Sequence, residues 1–200
     1  YEINEEIKLH PESNKPYYMR GLILGYRNRT GDVEQAEEDF RRSTEAYPSS
    51  WAGYNDLAWI QMRQGRFDEA KETILNAFEI LPSEKDRNVW LWANLGVAEM
   101  NLKNYNKAKE YLLIAEGIAN EMTAEYFWSA YPGNDQHNAH ESFRQFRAAL
   151  HFNLGIVYEN LNDIREAKKS YETYLSLSPR SPFSQENEVQ EKIFIFEAQL

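Results

Sequence analysis

Three landmarks in this chain recur at a single spacing. Gly31 and Gly65 are 34 residues apart, as are Ala36 and Ala70, and Pro48 and Pro82. Agreement of three residue types on one period marks a repeated unit, and 34 residues is the length of a helix–turn–helix pair. Such a pair cannot bury its apolar face alone, so the period calls for a stack in which each pair covers its neighbour. The apolar fraction of 42% is enough for a continuous core through that stack, and 14% aromatic residues are too many for a disordered linker.

The units can be followed along the chain. Residues 1–13 read as the second helix of a truncated repeat, with Ile3, Ile7 and Leu9 at helical spacing and Pro11 at its end. A first full unit, 17–50, carries Ala36-x3-Phe40 and Pro48, while the apolar Leu22, Ile23 and Tyr26 of its opening helix look displaced by one residue. A second, 51–84, carries Tyr54, Leu57, Ala58, Gly65, Ala70, Ile74, Ala77 and Pro82. The third begins at Val89 with Trp92-x2-Leu95-Gly96, followed by Ala108-x3-Leu112 and Ala115. The fourth, 148–181, has Leu154-Gly155-x2-Tyr158, Ala167-x3-Tyr171 and Pro179. Small residues let the two helices of a pair approach, large ones at i, i+3 and i+4 fill the seams, and Pro ends the second helix.

These residues resemble the tetratricopeptide repeat family, whose pattern is W-x2-L-G-x2-Y, then A-x3-F, then P. The resemblance covers most of the chain. It implies an all-α fold, a right-handed α-solenoid of stacked antiparallel helix pairs, and a role in holding another polypeptide.

Two segments depart from the plain repeat. From 89 to 147 the third unit is too long, and between Ala115 and Leu150 the only evident break is the turn signal at 131–135. Met122, Tyr126 and Ala130 keep a helical period upstream of it; Ala139, Phe143, Phe146 and Leu150 do so downstream. The expectation is an extended helical hairpin leading into the next repeat, with Tyr126, Phe127, Trp128 and Tyr131 at its tip as a second contact surface. Residues 182–200 form either a capping helix or the first helix of a further repeat, with Val189, Ile193, Phe196 and Leu200 as one stripe and Phe194 and Ile195 beside it.

In the resembled family the first helix of each unit lines a concave groove, through the second, fifth, ninth, twelfth and thirteenth positions. Carried over, the second unit supplies Ala52, Asn55, Trp59, Met62 and Arg63. The third supplies Trp90, Ala93, Val97, Met100 and Asn101, and the fourth Ala149, Phe152, Ile156, Glu159 and Asn160. The first would give Tyr18, Gly21, Gly25, Asn28 and Arg29. Trp59, Met62, Trp90, Val97, Met100, Phe152 and Ile156 would form an apolar stripe suited to an amphipathic helix or extended peptide. The competing occupant is the chain's own C-terminal helix or a neighbouring repeat. A clamp for a chaperone's C-terminal carboxylate is not expected, because groove lysines are missing and Asp56 stands at the sixth position of the second unit.

The chemistry points the same way. Net charge is −10, with 22 basic against 32 acidic residues, and no basic cluster stands out for nucleic acid. The chain has no cysteine, which excludes disulfides and thiolate chemistry. No apolar run reaches the ~18 residues of a membrane span, so no direct membrane insertion is expected. His137-x2-His140-Glu141 is the only cluster resembling a metal site, and it lacks the i, i+4 histidine pair of zinc proteases. No catalytic, cofactor or metal residues are therefore assigned. The expected function is a non-catalytic protein-interaction scaffold. The other readings are a regulatory or substrate-docking arm of a larger enzyme and a solenoid that joins a second copy through its open ends.

Overall fold

The computed structural model describes residues 2–130, 138–177 and 185–199, apart from the Trp128 side chain. The described residues contain eleven α-helices and no strand. They fall into two compact units, residues 1–87 and 88–200.

The first unit holds α1 (Glu2–Leu9), α2 (Asn14–Arg27), α3 (Asp32–Ala46), α4 (Trp51–Arg63) and α5 (Phe67–Ile80), then a single 3-10 turn at Pro82–Asp86. Helices α2 and α3 pack as one pair and α4 and α5 as the next, with α3 also against α4 and α1 against α2. Their core is Tyr18, Ala36, Phe40, Ala52, Leu57 and Ile60, flanked by Leu22, Leu24, Val33, Trp51 and Trp59.

The second unit holds α6 (Val89–Asn101), α7 (Tyr105–Glu121), α8 (Ala124–Ala130), α9 (Ala139–Asn160), α10 (Ile164–Leu177) and α11 (Glu186–Glu197). Here α6 pairs with α7 and α9 with α10; α7 and α8 also rest on α9, and α11 rests on α10. One core gathers Val89, Leu112, Phe127, Leu150, Leu154 and Val157. A second gathers Ala148, Ala167, Tyr171, Tyr174, Val189 and Phe196.

Within a pair, one contact sets the distance between helices. A Cβ added at Gly155 would lie 2.4 Å from the Tyr171 ring, and one at Gly96 2.6 Å from Leu112 Cγ. The same contact occurs in the first pair between Gly21 and Phe40, at 2.8 Å. Gly96 and Gly155 each precede the alanine of the following helix (Ala108, Ala167) by twelve residues, but Gly21 precedes Ala36 by fifteen. The first unit's opening helix is thus displaced by three residues, not by one, and starts at Asn14 rather than at Tyr17. The three additional residues fall between Gly21 and Gly31, which are ten apart where Ala58 and Gly65 are seven. The turn at 28–31 is one residue longer than that at 64–66, and in it Asn28 (φ 53°) and Gly31 (φ 81°) both adopt the left-handed conformation. The other turns have one such residue each: Gly65 (φ 74°), Lys103 (φ 63°) and Asn162 (φ 59°).

The expected extended hairpin is corrected in its upstream arm. Helix α7 stops at Glu121, Met122 is extended (φ −88°, ψ 147°), and the Thr123 hydroxyl accepts a hydrogen bond from the Tyr126 backbone N–H at 3.2 Å. That bond caps a new helix, α8, which lies back on α9. The downstream arm is continuous, since α9 runs for 22 residues. The turn signal at 131–135 lies outside the described residues.

Helix α11 closes the second core through Val189 and Phe196, yet its other side keeps Phe194 75% and Ile195 47% exposed. It therefore lacks the polar outer face expected of a repeat cap.

Two stability outcomes follow from these contacts. Gly155→Ala should lower stability by about 1–3 kcal/mol, because the added methyl meets a ring that cannot retreat. Gly117→Ala, where nothing lies within 4 Å of the new Cβ, should raise it by ~1 kcal/mol. Thermal melts of the two variants should move in opposite directions. Lys103→Gly should add ~1 kcal/mol by relieving a left-handed residue that carries a Cβ, measured by urea denaturation.

Candidate partner-binding site

In the first unit the site is built on α4 against α2. The backbone at Gly25 leaves room for the Trp59 indole, whose Cζ3 would lie 2.8 Å from a Cβ there. Tyr26, 78% exposed, tilts across the same indole with ring centroids 5.4 Å apart. The Arg63 guanidinium lies 5.0 Å from the indole centre and donates to the Gly25 carbonyl at 2.5 Å. Tyr26, Trp59 and Arg63 thus form one stacked group, with Trp59 half-buried beneath it and Met62 half-buried on the same helix. Each side chain is held by another, so little rotamer freedom is left to lose on binding.

Asn55 does not belong to that surface. It is 5% exposed, and its amide donates to Asp56 at 3.3 Å. Asp56 is itself buried and accepts the Tyr18 hydroxyl proton at 2.8 Å, which ties α4 to α2. Tyr18, Gly21 and Gly25 are buried too, as the three-residue shift of α2 requires.

In the second unit Trp90, Ala93, Val97 and Met100 lie along α6, all half-buried. Trp90 stacks on Phe127 at 4.8 Å and 29°, and Phe127 sits 5.0 Å from both Phe143 and Phe146. Phe127 is 5% exposed, so it anchors α8 in the core and is no part of a second surface. Tyr126 beside it is 51% exposed; the Trp128 side chain and Tyr131 lie outside the described residues. On α9, Phe152 packs against Tyr174 at 5.3 Å and Tyr171 at 6.1 Å. With Ile156 it flanks the core to which α11 contributes Val189 and Phe196. The chain's own rings therefore contact Trp90 and Phe152 and leave each partly open.

Electrostatics reinforce these helices. Lys192 of α11 donates to both Glu159 oxygens at 2.9 Å, and the Tyr171 hydroxyl donates to the same carboxylate at 2.9 Å. Burial, with Glu159 beside it, pushes the Tyr171 phenol far above its ordinary range. Arg20 holds Asp39 through two 2.7 Å bonds. Arg27 holds Asp32, whose carboxyl drops to about 2, chiefly through that hydrogen bond.

A polar cleft of about 380 Å³ opens between α7, α9 and α10, lined by Glu116, Arg147, His151, Tyr158, Lys169 and Ser170. His151, 8% exposed, lies 3.6 Å from Glu116. Burial lowers its pKa, opposed by Glu116 and aided by Arg147 and Lys169. His140 pairs with Glu125 at 3.0 Å, and His137 lies outside the described residues. Among those residues no three His, Asp or Glu side chains converge as metal ligands, and no helix is long and apolar enough to cross a membrane.

Comparison with known proteins bears on the fold. Residues 28–83, 91–120 and 148–181 match family models described as tetratricopeptide repeat. No curated protein matches the chain. Among solved structures, BtubC (BKLC) from P. vanneervenii aligns over 98% of this chain and 79% of its own, at 16% identity and TM-score 0.70. PilW, a type IV pilus biogenesis factor, aligns over 99% and 81% at 17% identity and TM-score 0.65. MamA from Desulfovibrio magneticus RS-1, residues 41 to the end, aligns over 93% and 84% at 12% identity and TM-score 0.65. At these identities the likeness is one of fold.

Because His151 is buried with a lowered pKa, the folded chain binds fewer protons than the unfolded one just below pH 6.5. Stability should be full above that pH and fall as pH drops through it, by at most about 1.4 kcal/mol per unit. His151→Gln should flatten that part of the curve, read from urea midpoints across the range.

Proposed function

The chain belongs to the tetratricopeptide repeat family, and we propose that it is a non-catalytic scaffold that holds a peptide or amphipathic helix of a partner protein on the apolar first-helix faces of its repeats. The stacked Tyr26–Trp59–Arg63 group carries this reading. Trp, Tyr and Arg dominate binding hot spots, and these three already occupy one preorganised arrangement at the surface. Met62 beside them is an adaptable apolar neighbour for an irregular partner.

In the second unit the corresponding face is Trp90, Ala93, Val97 and Met100 on α6, with Phe152 and Ile156 on α9. There the Trp90 and Phe152 rings are steadied by Phe127 and by Tyr171 and Tyr174. A partner would add to an existing ring stack rather than enter an empty slot. An apolar contact side suits this surface better than a charged terminus, because Asp56, the acid nearest Trp59 in sequence, is buried and engaged by Tyr18.

The test is capture of partner from the source cell with peptide mapping, repeated on the mapped peptide by calorimetry. Trp59→Glu and Met100→Glu, each with helical circular dichroism retained, should weaken that peptide by tenfold or more, about 1.4 kcal/mol. Undiminished affinity in both variants would remove these faces from consideration.

A further inference from the structure

Two exposed apolar faces take no part in the proposed binding surface. The first is on α2. Gly21 and Ala58 occupy matching places in α2 and α4, which makes Ile23 the counterpart of Ile60. Ile60 is fully buried, with its Cδ1 3.7 Å from a Cβ position at Gly25 of the preceding first helix. Ile23 is 49% exposed and Met19, one turn before it, 38%. Beside them α1 and α2 form an open groove of about 380 Å³, lined by Ile3, Pro16, Met19, Glu2, Glu6 and Lys15. Helix α1 buries none of its own residues. The second face is on α11, where Phe194 and Ile195 point away from the core that Val189 and Phe196 close.

The two faces complement each other in charge. Helix α2 carries Lys15, Arg20 and Arg27 and no acid, whereas α11 carries Glu186, Glu188, Glu191 and Glu197 against Lys192 alone. Arg20 and Arg27 are engaged by Asp39 and Asp32, Lys192 by Glu159, and Glu197 by Lys168. Exposed Lys15 remains on α2, and exposed Glu188 and Glu191 on α11. Lys15 lies one turn before Met19, and Glu191 about one turn before Phe194 and Ile195. Set parallel, the helices bring apolar pair onto apolar pair with Lys15 beside Glu191.

We propose that α2 of one copy packs on α11 of a second copy, Met19 and Ile23 against Phe194 and Ile195, with Lys15 facing Glu191. The contact is heterologous, so a dimer keeps one free face of each kind, α11 on one copy and α2 on the other. One helix on another buries less than a standard interface, which places the association in the weak, transient class. It is weakened by salt through the Lys15–Glu191 pair.

Sedimentation equilibrium of the full chain across a range of concentrations tests this. The wild type should exceed the monomer mass as concentration rises. Ile23→Glu and Phe194→Glu, at exposed positions and with unchanged circular dichroism, should each reduce self-association at least tenfold. Mixed together they should form a one-to-one dimer and nothing larger, because each retains the face that the other has lost. Lys15→Glu and Glu191→Lys should each weaken association, and the two combined in one chain should restore it. A strict monomer at every concentration would overturn the proposal, as would association that survives both glutamate variants. Loss in Phe194→Glu alone, or no dimer in the mixture, would also overturn it, by indicating like-to-like packing through α11 or no heterologous contact.

Discussion

The close approach of the two helices in each pair is the constraint on which the rest depends. At Gly21, Gly96 and Gly155 the first helix has no side chain, and Phe40, Leu112 and Tyr171 of the second helix occupy the space. This contact brings the backbones together and sets the angle at which large residues from one pair reach the next. Phe40, Leu112 and Tyr171 are fully buried, so the second helix is fixed at the same point where the first gives way. Without that approach, Leu57 and Ile60 in one unit, or Leu154 and Val157 in the other, would face a gap rather than a partner.

Polar contacts then add direction to a packing that apolar contact alone leaves loose. Tyr18 of α2 donates to the buried Asp56 carboxylate of α4, which also accepts from Asn55 on its own helix, so the Tyr18–Asp56 bond ties α2 to α4 in a fixed relative position. Glu159 plays the same part for three helices: it accepts from Tyr171 of α10 and Lys192 of α11 while sitting on α9. Glu99, 1% exposed, accepts from Asn104 at 2.6 Å across the turn between α6 and α7. Such groups are costly to bury unless satisfied, and they favour one arrangement once they are.

The period of 34 made the helical pairs legible, because small residues and terminating prolines act locally and recur. The three-residue shift of α2 was not, since Ala36 and Gly31 keep the period on the α3 side while the additional residues lie between Gly21 and Gly31. Gly21, fifteen residues ahead of Ala36, was the available signal, though it takes the Phe40 ring to give it meaning. The break after Glu121 was also local and readable: Thr123 ahead of Ala124-Glu125 is a capping residue before an acidic first turn. The apolar spacing of Met122, Tyr126 and Ala130 outweighed it. Burial of Phe127 depends on residues distant in sequence, Trp90 and Phe143, and no periodicity within one helix reports such contacts.

The first-helix aromatics illustrate how one residue type serves two ends in the same repeat. Trp59 rests on a glycine and is overlaid by Tyr26 and Arg63, which reach solvent, so its stack is finished on the outside by groups a partner can touch. Phe152 sits one turn before the position that matches Trp59 in its own first helix, Tyr171 and Tyr174 meet it from α10, and its neighbouring core includes α11. What separates the two is what meets the ring: Trp59 is overlaid by Tyr26 of the preceding first helix and Arg63 of its own, whereas Phe152 is met by the second helix of its own pair. The same repeat can therefore offer a ring or withhold it according to which neighbouring helix meets it.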